Sequence, residues 1–365
     1  MSVAAVYDRR DRRPILLEKP AVIDRRYSRV PLQGRRKHLR FSELGVPIAL
    51  TFAICPLMAS AQIAAPQRAF ELQALSPRFG KILGLDAKLT KLATGFGFTE
   101  GPVWDSRGYL YVSDEVQNKI YRLHENGERE TVLSMGDPDG NTYDLSMHLL
   151  DCASLLRAII RVSPSGEYTV LADRYQDKRF NSPNDVILGP DHAIYFTDPT
   201  LDLPKGQPQE IPFQGVYRLD ERGNVRLETK DLTQPNGLAF SPDGKRFYVD
   251  DSERRNIRVY VFDAATGSIA GGRIFGEEKG GADEGVPDGM RMDQDGDMFV
   301  TGPKGIWVWD AQGHHLGTIV MPEQPANLAW GDKDYGTLFI TATTSVYRLR
   351  TRVRGFVPYL AYARN

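Results

Sequence analysis

Five short apolar segments recur along the chain, and each is rich in aromatic and β-branched side chains. They read LYVSD (110–114), IYFTD (194–198), FYVDD (247–251), MFVTG (298–302) and LFITA (338–342). Side chains of these types fit a pleated, half-buried surface, so the pattern predicts five β-strands. A turn signal precedes each of them, from DSRG (105–108) to GDKDYG (331–336), and predicts a hairpin at each place.

A polar corner opens the apolar run before each predicted hairpin. The corner residues are Glu100, Asn184, Asn236, Asp288 and Asn327, separated by 84, 52, 52 and 39 positions. Because the first gap is about twice the last, one further unit is expected inside it, and GNTYD (140–144) with HLLDCA (148–153) fills that place with a poorer match. Two β-sandwiches would explain the strands but not the regular corners. Six such units predict an all-β fold, a six-bladed β-propeller with a central channel.

The composition agrees with this fold and narrows the choice of partners. The chain is 41% hydrophobic and 25% charged, with 34 glycines and 23 prolines, as expected of a globular protein with many tight turns. Its net charge is −1, but residues 1–40 carry twelve Lys or Arg against four Asp or Glu, so the chain beyond residue 61 is near −8. An acidic body argues against nucleic acid as a partner, because phosphate binding needs a basic face. Cys152 alone follows the N-terminal segment, which leaves no disulfide framework.

The N-terminal segment has the features of an export signal. GRRKHLR (34–40) resembles a twin-arginine motif and leads into an apolar run too short to span a bilayer comfortably. The run ends at Ala59-Ser60-Ala61, small residues of the type that signal peptidase cuts. We therefore assign 1–61 to a basic extension and export signal and 62–365 to the propeller. We expect a periplasmic or secreted protein without stable membrane insertion after cleavage; a membrane-anchoring N-terminus is the alternative.

The corners are candidates for a metal site. Glu100, Asn184 and Asn236 occupy the same first-strand position in three units, so a radial arrangement would bring their side chains to one mouth of the channel. A carboxylate at the end of a second strand would face such a corner across the hairpin. Asp114, Asp198 and Asp251 all hold that position, and register alone does not choose among them.

Carboxylate and amide oxygens suit Ca²⁺ best. Mg²⁺ and Mn²⁺ are weaker candidates, and Zn²⁺ lacks its usual His or Cys ligands here. Taken singly, an Asn or Asp before Gly is more often turn chemistry than a ligand, and it is the shared register that favours a site.

Several long motifs resemble the gluconolactonase / senescence marker protein (regucalcin) family of six-bladed propellers. The motifs span about 95–350 and include TEGPVWD, NSPNDVILGPDHAIYFTDP, QPNGLAFSPDGKRFYVDDS and PDGMRMDQDGDMFVTGPKGIWVWD. The resemblance implies a divalent cation, usually calcium, at the channel mouth. It implies Glu100, Asn236 and Asp251 as metal ligands, and Asn184 as a contact to the metal, the substrate or both.

The resemblance also implies an activity, which is metal-assisted hydrolysis of a sugar lactone such as glucono-1,5-lactone, with Asp251 as the general base. Bacterial members read close to LLTCEHG where this chain reads LLDCASLL (149–156), so Ala153 and Ser154 replace a Glu-His pair. Ala153 aligns with Asp251 and is expected near the channel mouth. Other lactones, esters or organophosphates, and a non-catalytic propeller that retains calcium, stay open as alternatives.

Overall fold

The computed structural model describes residues 68–84, 86–203 and 206–364, together with two short strands nearer the N-terminus. Those strands, Val6–Tyr7 and Pro14–Ile15, pair with each other in antiparallel fashion. The basic extension and export signal predicted over 1–61 otherwise fall outside the described residues. Within the part of the chain that the structure describes, no helix combines the length and apolar character needed to cross a membrane.

Six antiparallel sheets of the described residues surround a central channel as the blades of a β-propeller, so the predicted fold is confirmed. The first strand of each blade lies innermost, because the first strands of successive blades contact one another in a closed ring. Blade 1 comprises Thr99–Asp105, Tyr109–Asp114, Lys119–His124 and Arg129–Leu133. Blade 2 comprises Pro138–Tyr143, Leu149–Ala153, Ala158–Val162 and Tyr168–Ala172. Blade 3 comprises Val186–Leu188, Ile194–Asp198, Gly215–Leu219 and Val225–Thr229.

Of the other three blades, blades 5 and 6 include strands from both ends of the propeller. Blade 4 comprises Pro235–Phe240, Arg246–Asp251, Asn256–Asp263 and Ser268–Glu277. Blade 5 comprises Met290–Met292, Met298–Gly302, Gly305–Trp309 and His315–Val320. Blade 6 comprises Pro325–Gly331, Thr337–Ala342 and Ser345–Arg350. Glu71–Ala74 adds a fifth strand to blade 5, and Leu89–Thr94 is the outer strand of blade 6. Main-chain hydrogen bonds between distant parts of the chain therefore close the ring.

The remaining elements are short. A small hairpin of Arg174–Tyr175 and Lys178–Arg179 links blades 2 and 3. The described helices are Phe79–Ile82, Pro358–Ala361 and the 3₁₀ turns Ala282–Glu284 and Tyr362–Arg364.

The hidden repeat lies inside the long gap, as predicted, and is blade 2. Its inner strand begins at Pro138, two residues ahead of GNTYD, so its corner residue is Asp139. The gap of 84 positions thus divides into 39 and 45. Asp139 is not among the predicted corners, although Pro138 and Gly140 flank it as Pro287 and Gly289 flank Asp288.

Apolar side chains fill the wedges between neighbouring blades. Between blades 3 and 4, Tyr195 packs edge-on against Phe240 with ring centroids 5.1 Å apart, and Phe240 contacts Phe247 at 4.6 Å. Between blades 6 and 1, Phe339 stacks on Trp104 at 5.0 Å. The second strand of a blade is buried on both faces, and for this reason it reads as a continuous apolar run instead of an alternating one.

The C-terminal segment covers the end of the channel that lies opposite the corners. The hydroxyl of Tyr359, in the short helix Pro358–Ala361, donates a hydrogen bond to the backbone oxygen of Trp104 at 2.9 Å, and its ring packs edge-on against Tyr143. A cavity of about 30 Å³ remains above the helix, lined in part by Arg291. Access to the corner residues is therefore from the mouth.

Candidate functional site

Residues at or just before the start of the inner strands bring polar side chains to one mouth of the channel. The corner residues of blades 1 to 5 are Glu100, Asp139, Asn184, Asn236 and Asp288. A proline precedes the corner in blades 2 to 6, where its missing N–H is tolerated because the strand is only beginning. In blade 6 this rule gives Ala326. Asn327, predicted as the corner, lies one residue further along the strand.

Glycine after the corner brings the inner strands close together. A Cβ atom built on Gly237 would overlap the backbone oxygen of Asp288 in the next blade, and one on Gly101 would overlap the backbone oxygen of Asp139. The strands approach backbone to backbone because these positions lack a side chain. The corner side chains of neighbouring blades are thereby held near one another.

Glu100 is 3% exposed, and its Oε2 accepts hydrogen bonds from the backbone N–H of Gly101 at 2.8 Å and from Asn327 Nδ2 at 3.0 Å. Burial raises the pKa of Glu100 to about 7, and the charge of Asp185 raises it further, while the two hydrogen bonds and the charge of Arg291 act in the opposite direction. The group is poised to lose its proton near neutral pH.

Asn236 and Asp288 form the adjoining part of the site. Asp288 is half-buried, whereas Asn236 is only 5% exposed. Asn236 Oδ1 finds no hydrogen-bond partner among the described residues. Burial raises the pKa of Asp288 well above its usual range, and the charges of Glu100 and Asp185 add to the effect. A buried amide oxygen without a donor beside mutually repelling carboxylates is a place where a cation would be stabilised.

Asn184 is braced from blade 2 by two contacts. Its Nδ2 donates to Asp139 Oδ2 at 2.7 Å, and Ser154 Oγ donates to the backbone oxygen of Pro183 at 2.8 Å. Ser252 braces Asp288 in the same manner, through Pro287 O at 2.7 Å. The serine after a second strand thus fixes the next blade's corner.

Ala153 ends the second strand of blade 2 opposite Pro138, next to the corner residue Asp139. It is fully buried in the apolar cluster that contains Tyr143 and Ile160. The neighbouring Ser154 is occupied in the brace to Pro183, so the two residues that replace a Glu-His pair have structural contacts here.

Asp251, predicted as a metal ligand and general base, is held by the loops that flank its strand. It is 0% exposed, and its oxygens accept backbone N–H groups of flanking loops, from Thr233 at 2.7 Å, Gln234 at 3.2 Å and Arg254 at 3.0 Å. Asp114 makes the corresponding bonds in blade 1, to Gly97, Phe98 and Gln117. The shared second-strand position therefore caps a loop, since a carboxylate that accepts three N–H groups has little capacity left for a metal.

Further charges lie beside the corner ring. Asp250 Oδ1 accepts the N–H of Gly237 at 3.2 Å, and its Oδ2 is without a hydrogen-bond partner in the described structure. Arg291 forms an ion pair with Asp185, with Nη1 and Oδ2 3.6 Å apart. Asp250 and Asp185 are not among the predicted site residues, although each stands directly beside one of them, Asp251 and Asn184.

Three half-buried carboxyl groups surround the mouth, those of Glu115, Asp137 and Asp202. Burial raises the pKa of Asp202 to about 6, with a further contribution from Asp137. Burial and the charge of Glu100 raise the pKa of Glu115 well above its usual range. The mouth is therefore strongly acidic, and a bound cation would relieve the repulsion among its carboxylates.

The residues at the mouth fit a hard divalent cation. Oxygens of Glu100, Asn236 and Asp288 are the type of donor that Ca²⁺ prefers, and Asn184 offers a further amide oxygen. Across the described ranges, no group of three or more His, Cys, Asp or Glu side chains is arranged to hold a metal. The amide oxygens are consequently needed to complete a ligand set.

Comparison with known proteins finds that the chain is similar to lactonases both in sequence and in structure. The family model for the SMP-30/Gluconolactonase/LRE-like region matches residues 98–344. A gluconolactonase of Zymomonas mobilis is 32% identical over 342 residues, covering 85% of this chain and 95% of its own. Pentonolactonase XacC of Haloferax volcanii is 29% identical over 251 residues, covering 66% and 80%. The solved structure of a gluconolactonase from Xanthomonas campestris has a TM-score of 0.72 and 31% identity, covering 79% of this chain and 97% of that one.

Proposed function

The chain belongs to the SMP-30/Gluconolactonase/LRE-like family, and on that premise we propose that it hydrolyses a sugar lactone at the channel mouth with the help of a divalent cation. The observation that carries the proposal is the meeting of Glu100, Asn236 and Asp288 at one mouth, with Asn236 Oδ1 buried and unpaired among the described residues. The names of two relatives, a gluconolactonase and a pentonolactonase, support a sugar lactone as the substrate class.

Glu100, Asn236 and Asp288 would hold the cation, and Asn184 would add its amide oxygen or bind the substrate. Asp288 replaces Asp251 in the ligand set, because its carboxylate is half-buried at the mouth whereas that of Asp251 caps a loop. Ca²⁺ is the first candidate for this oxygen-only set. When bound, the cation supplies polarisation of the lactone carbonyl.

The proton transfers fall to the chain's own groups. Asp202 is half-buried at the rim with a pKa raised to about 6 by burial, which suits a general base near neutral pH. We assign a carboxylate oxygen of Asp202 to take the proton of the attacking water. The same proton then passes to the ring oxygen as the bond between carbonyl carbon and ring oxygen breaks, so water is consumed and a hydroxy acid is formed.

The charge of the mouth restricts the substrate. Carboxylates accept hydrogen bonds from the hydroxyl groups of a neutral polyol lactone, but they repel a phosphorylated sugar. The product is an anion, so the same repulsion favours its release. We therefore expect unphosphorylated aldonolactones to be better substrates than charged esters.

Removal of Glu100 tests the proposal. We expect Glu100→Ala to lose both bound calcium and lactonase activity, measured by elemental analysis and by proton release with six-carbon and five-carbon aldonolactones. Full metal content together with full activity in this variant would refute the ligand assignment. Tight binding of lactones without turnover by the wild-type protein would instead favour a non-catalytic binding propeller.

We also propose that the protein is exported and cleaved after Ala61, on the support of the twin-arginine-like GRRKHLR and the small residues 59–61. N-terminal sequencing of protein from the periplasm or medium should begin at Gln62. A full-length cytoplasmic protein would contradict this proposal.

A further inference from the structure

The main chain of Asp139 is fixed against blade 1. Asn141 Nδ2 donates to the backbone oxygen of Asp139 at 3.2 Å, to that of Gly101 at 2.9 Å and to Ser113 Oγ at 2.7 Å. The backbone oxygen of Asp139 also occupies the space that a side chain on Gly101 would take. The backbone of Asp139, from which its side chain extends, is therefore fixed in position.

The side chain of Asp139 reaches the other neighbour, blade 3. Its Oδ2 accepts a hydrogen bond from Asn184 Nδ2 at 2.7 Å, and the two residues are only 2% and 7% exposed. Ser154 already holds the backbone of Asn184 through Pro183. What remains free in Asn184 is the rotation of its amide group, and the bond to Asp139 restricts that rotation.

The chemistry of this bond selects one face of the amide. Because Asp139 Oδ2 accepts its hydrogen bond from the NH₂ group of Asn184, the amide oxygen Oδ1 is the group left for a cation or a substrate hydroxyl. The reversed amide would present its hydrogens to the cation, which is repulsive.

We propose that Asp139 is a positioning residue, which holds the Asn184 amide so that Oδ1 is presented at the channel mouth. The proposal rests on the function proposed above and assigns a role to a corner residue that is itself neither ligand nor base. It also accounts for a carboxylate in blade 2, where Ala153 at the end of the second strand is buried and Ser154 after it donates to the backbone oxygen of Pro183.

Four variants test the proposal, namely Asp139→Ala, Asp139→Asn, Asn184→Ala and the double variant Asp139→Ala/Asn184→Ala. We expect Asp139→Ala to lower the calcium affinity by about tenfold and kcat/KM by about tenfold. This is the scale of a hydrogen bond to a charged group. Asp139→Asn keeps an acceptor oxygen at the same place, so it should recover most of the loss in kcat/KM. In the Asn184→Ala background, Asp139→Ala should change either quantity by less than about twofold, since the group that it positions is absent.

Calcium affinity by titration calorimetry and kcat/KM are measured on the same proteins, with thermal unfolding without calcium as the check of folding. An Asp139→Asn variant as impaired as Asp139→Ala would overturn the proposal in favour of a role for the charge. Additive losses in the double variant would also overturn it. A wild-type protein that binds calcium but hydrolyses no lactone would refute the proposed activity alone, because the calcium affinities would still decide on Asp139. Absence of both properties would refute the two proposals together.

Discussion

At the scale of single side chains, two aspartates that are adjacent in sequence have different contacts and therefore different roles. Asp250 and Asp251 end the same strand, and alternation turns their carboxylates to opposite sides. Asp250 bonds to the N–H of Gly237 beside the corner, while Asp251 caps a loop. In our proposal Asp288, the corner residue of the next blade, takes the role of metal ligand that the sequence predicts for Asp251.

Exchange of Asp288 and of Asp251 for Asn should therefore have different consequences. Asp288→Asn should lose most of the calcium-induced rise in Tm and most lactonase activity, since a ligand stabilises the state it binds. Asp251→Asn should lower the stability without calcium by about 1–3 kcal/mol, because it disturbs backbone caps, and should still respond to calcium. Thermal unfolding with and without calcium separates them, and the reverse ranking would return the ligand role to Asp251.

Calcium binding should depend on pH through Glu100. Burial raises its pKa to about 7, so the carboxyl group is largely protonated below that pH and must release a proton before it can hold a cation. Affinity should fall as the pH is lowered from 8 to 6, as measured by titration calorimetry. Glu100→Gln should bind weakly with a flatter profile, and an unchanged slope in that variant would assign the titration to another group.

At the scale of elements, the inner strands depend on glycine where neighbouring blades meet. A methyl group at Gly237 would overlap the backbone oxygen of Asp288, and backbone cannot move aside as a flexible side chain can. We expect Gly237→Ala to cost about 2–3 kcal/mol in the free energy of unfolding, as overpacking does. Gly80→Ala is the matched control, because no atom lies within 4 Å of its added Cβ and its helix favours alanine. Chemical denaturation measures both, and equal stabilities would contradict the close approach.

At the scale of the whole molecule, the ring is closed by Leu89–Thr94, which forms the outer strand of blade 6 against Ser345–Arg350. A chain that begins at Gln62 keeps this strand and should unfold cooperatively. A chain that begins at Gly95 leaves blade 6 with three strands and an open edge, and it also lacks Glu71–Ala74 of blade 5 and the helix Phe79–Ile82, so it should unfold at markedly lower temperature or aggregate. Calorimetry and size-exclusion chromatography compare the two, and equal stability would mean that the closing strand contributes little.

The sequence by itself determined the repeating architecture and much of the mouth, because strands, turns and the corners Glu100, Asn184 and Asn236 are signalled by neighbouring residues along the chain. Only the tertiary structure decided which carboxylates lie with them. Asp251 is held by hydrogen bonds to its loops, and a contact between blades joins Asp139 to Asn184. The local sequence Pro138-Asp139-Gly140 repeats that of the corner at Asp288, but it does not show that the side chain bonds to the next blade. The closing strand of blade 6 was also beyond local signals, since its partner lies some 250 residues away and the pairing exists only once the ring has formed.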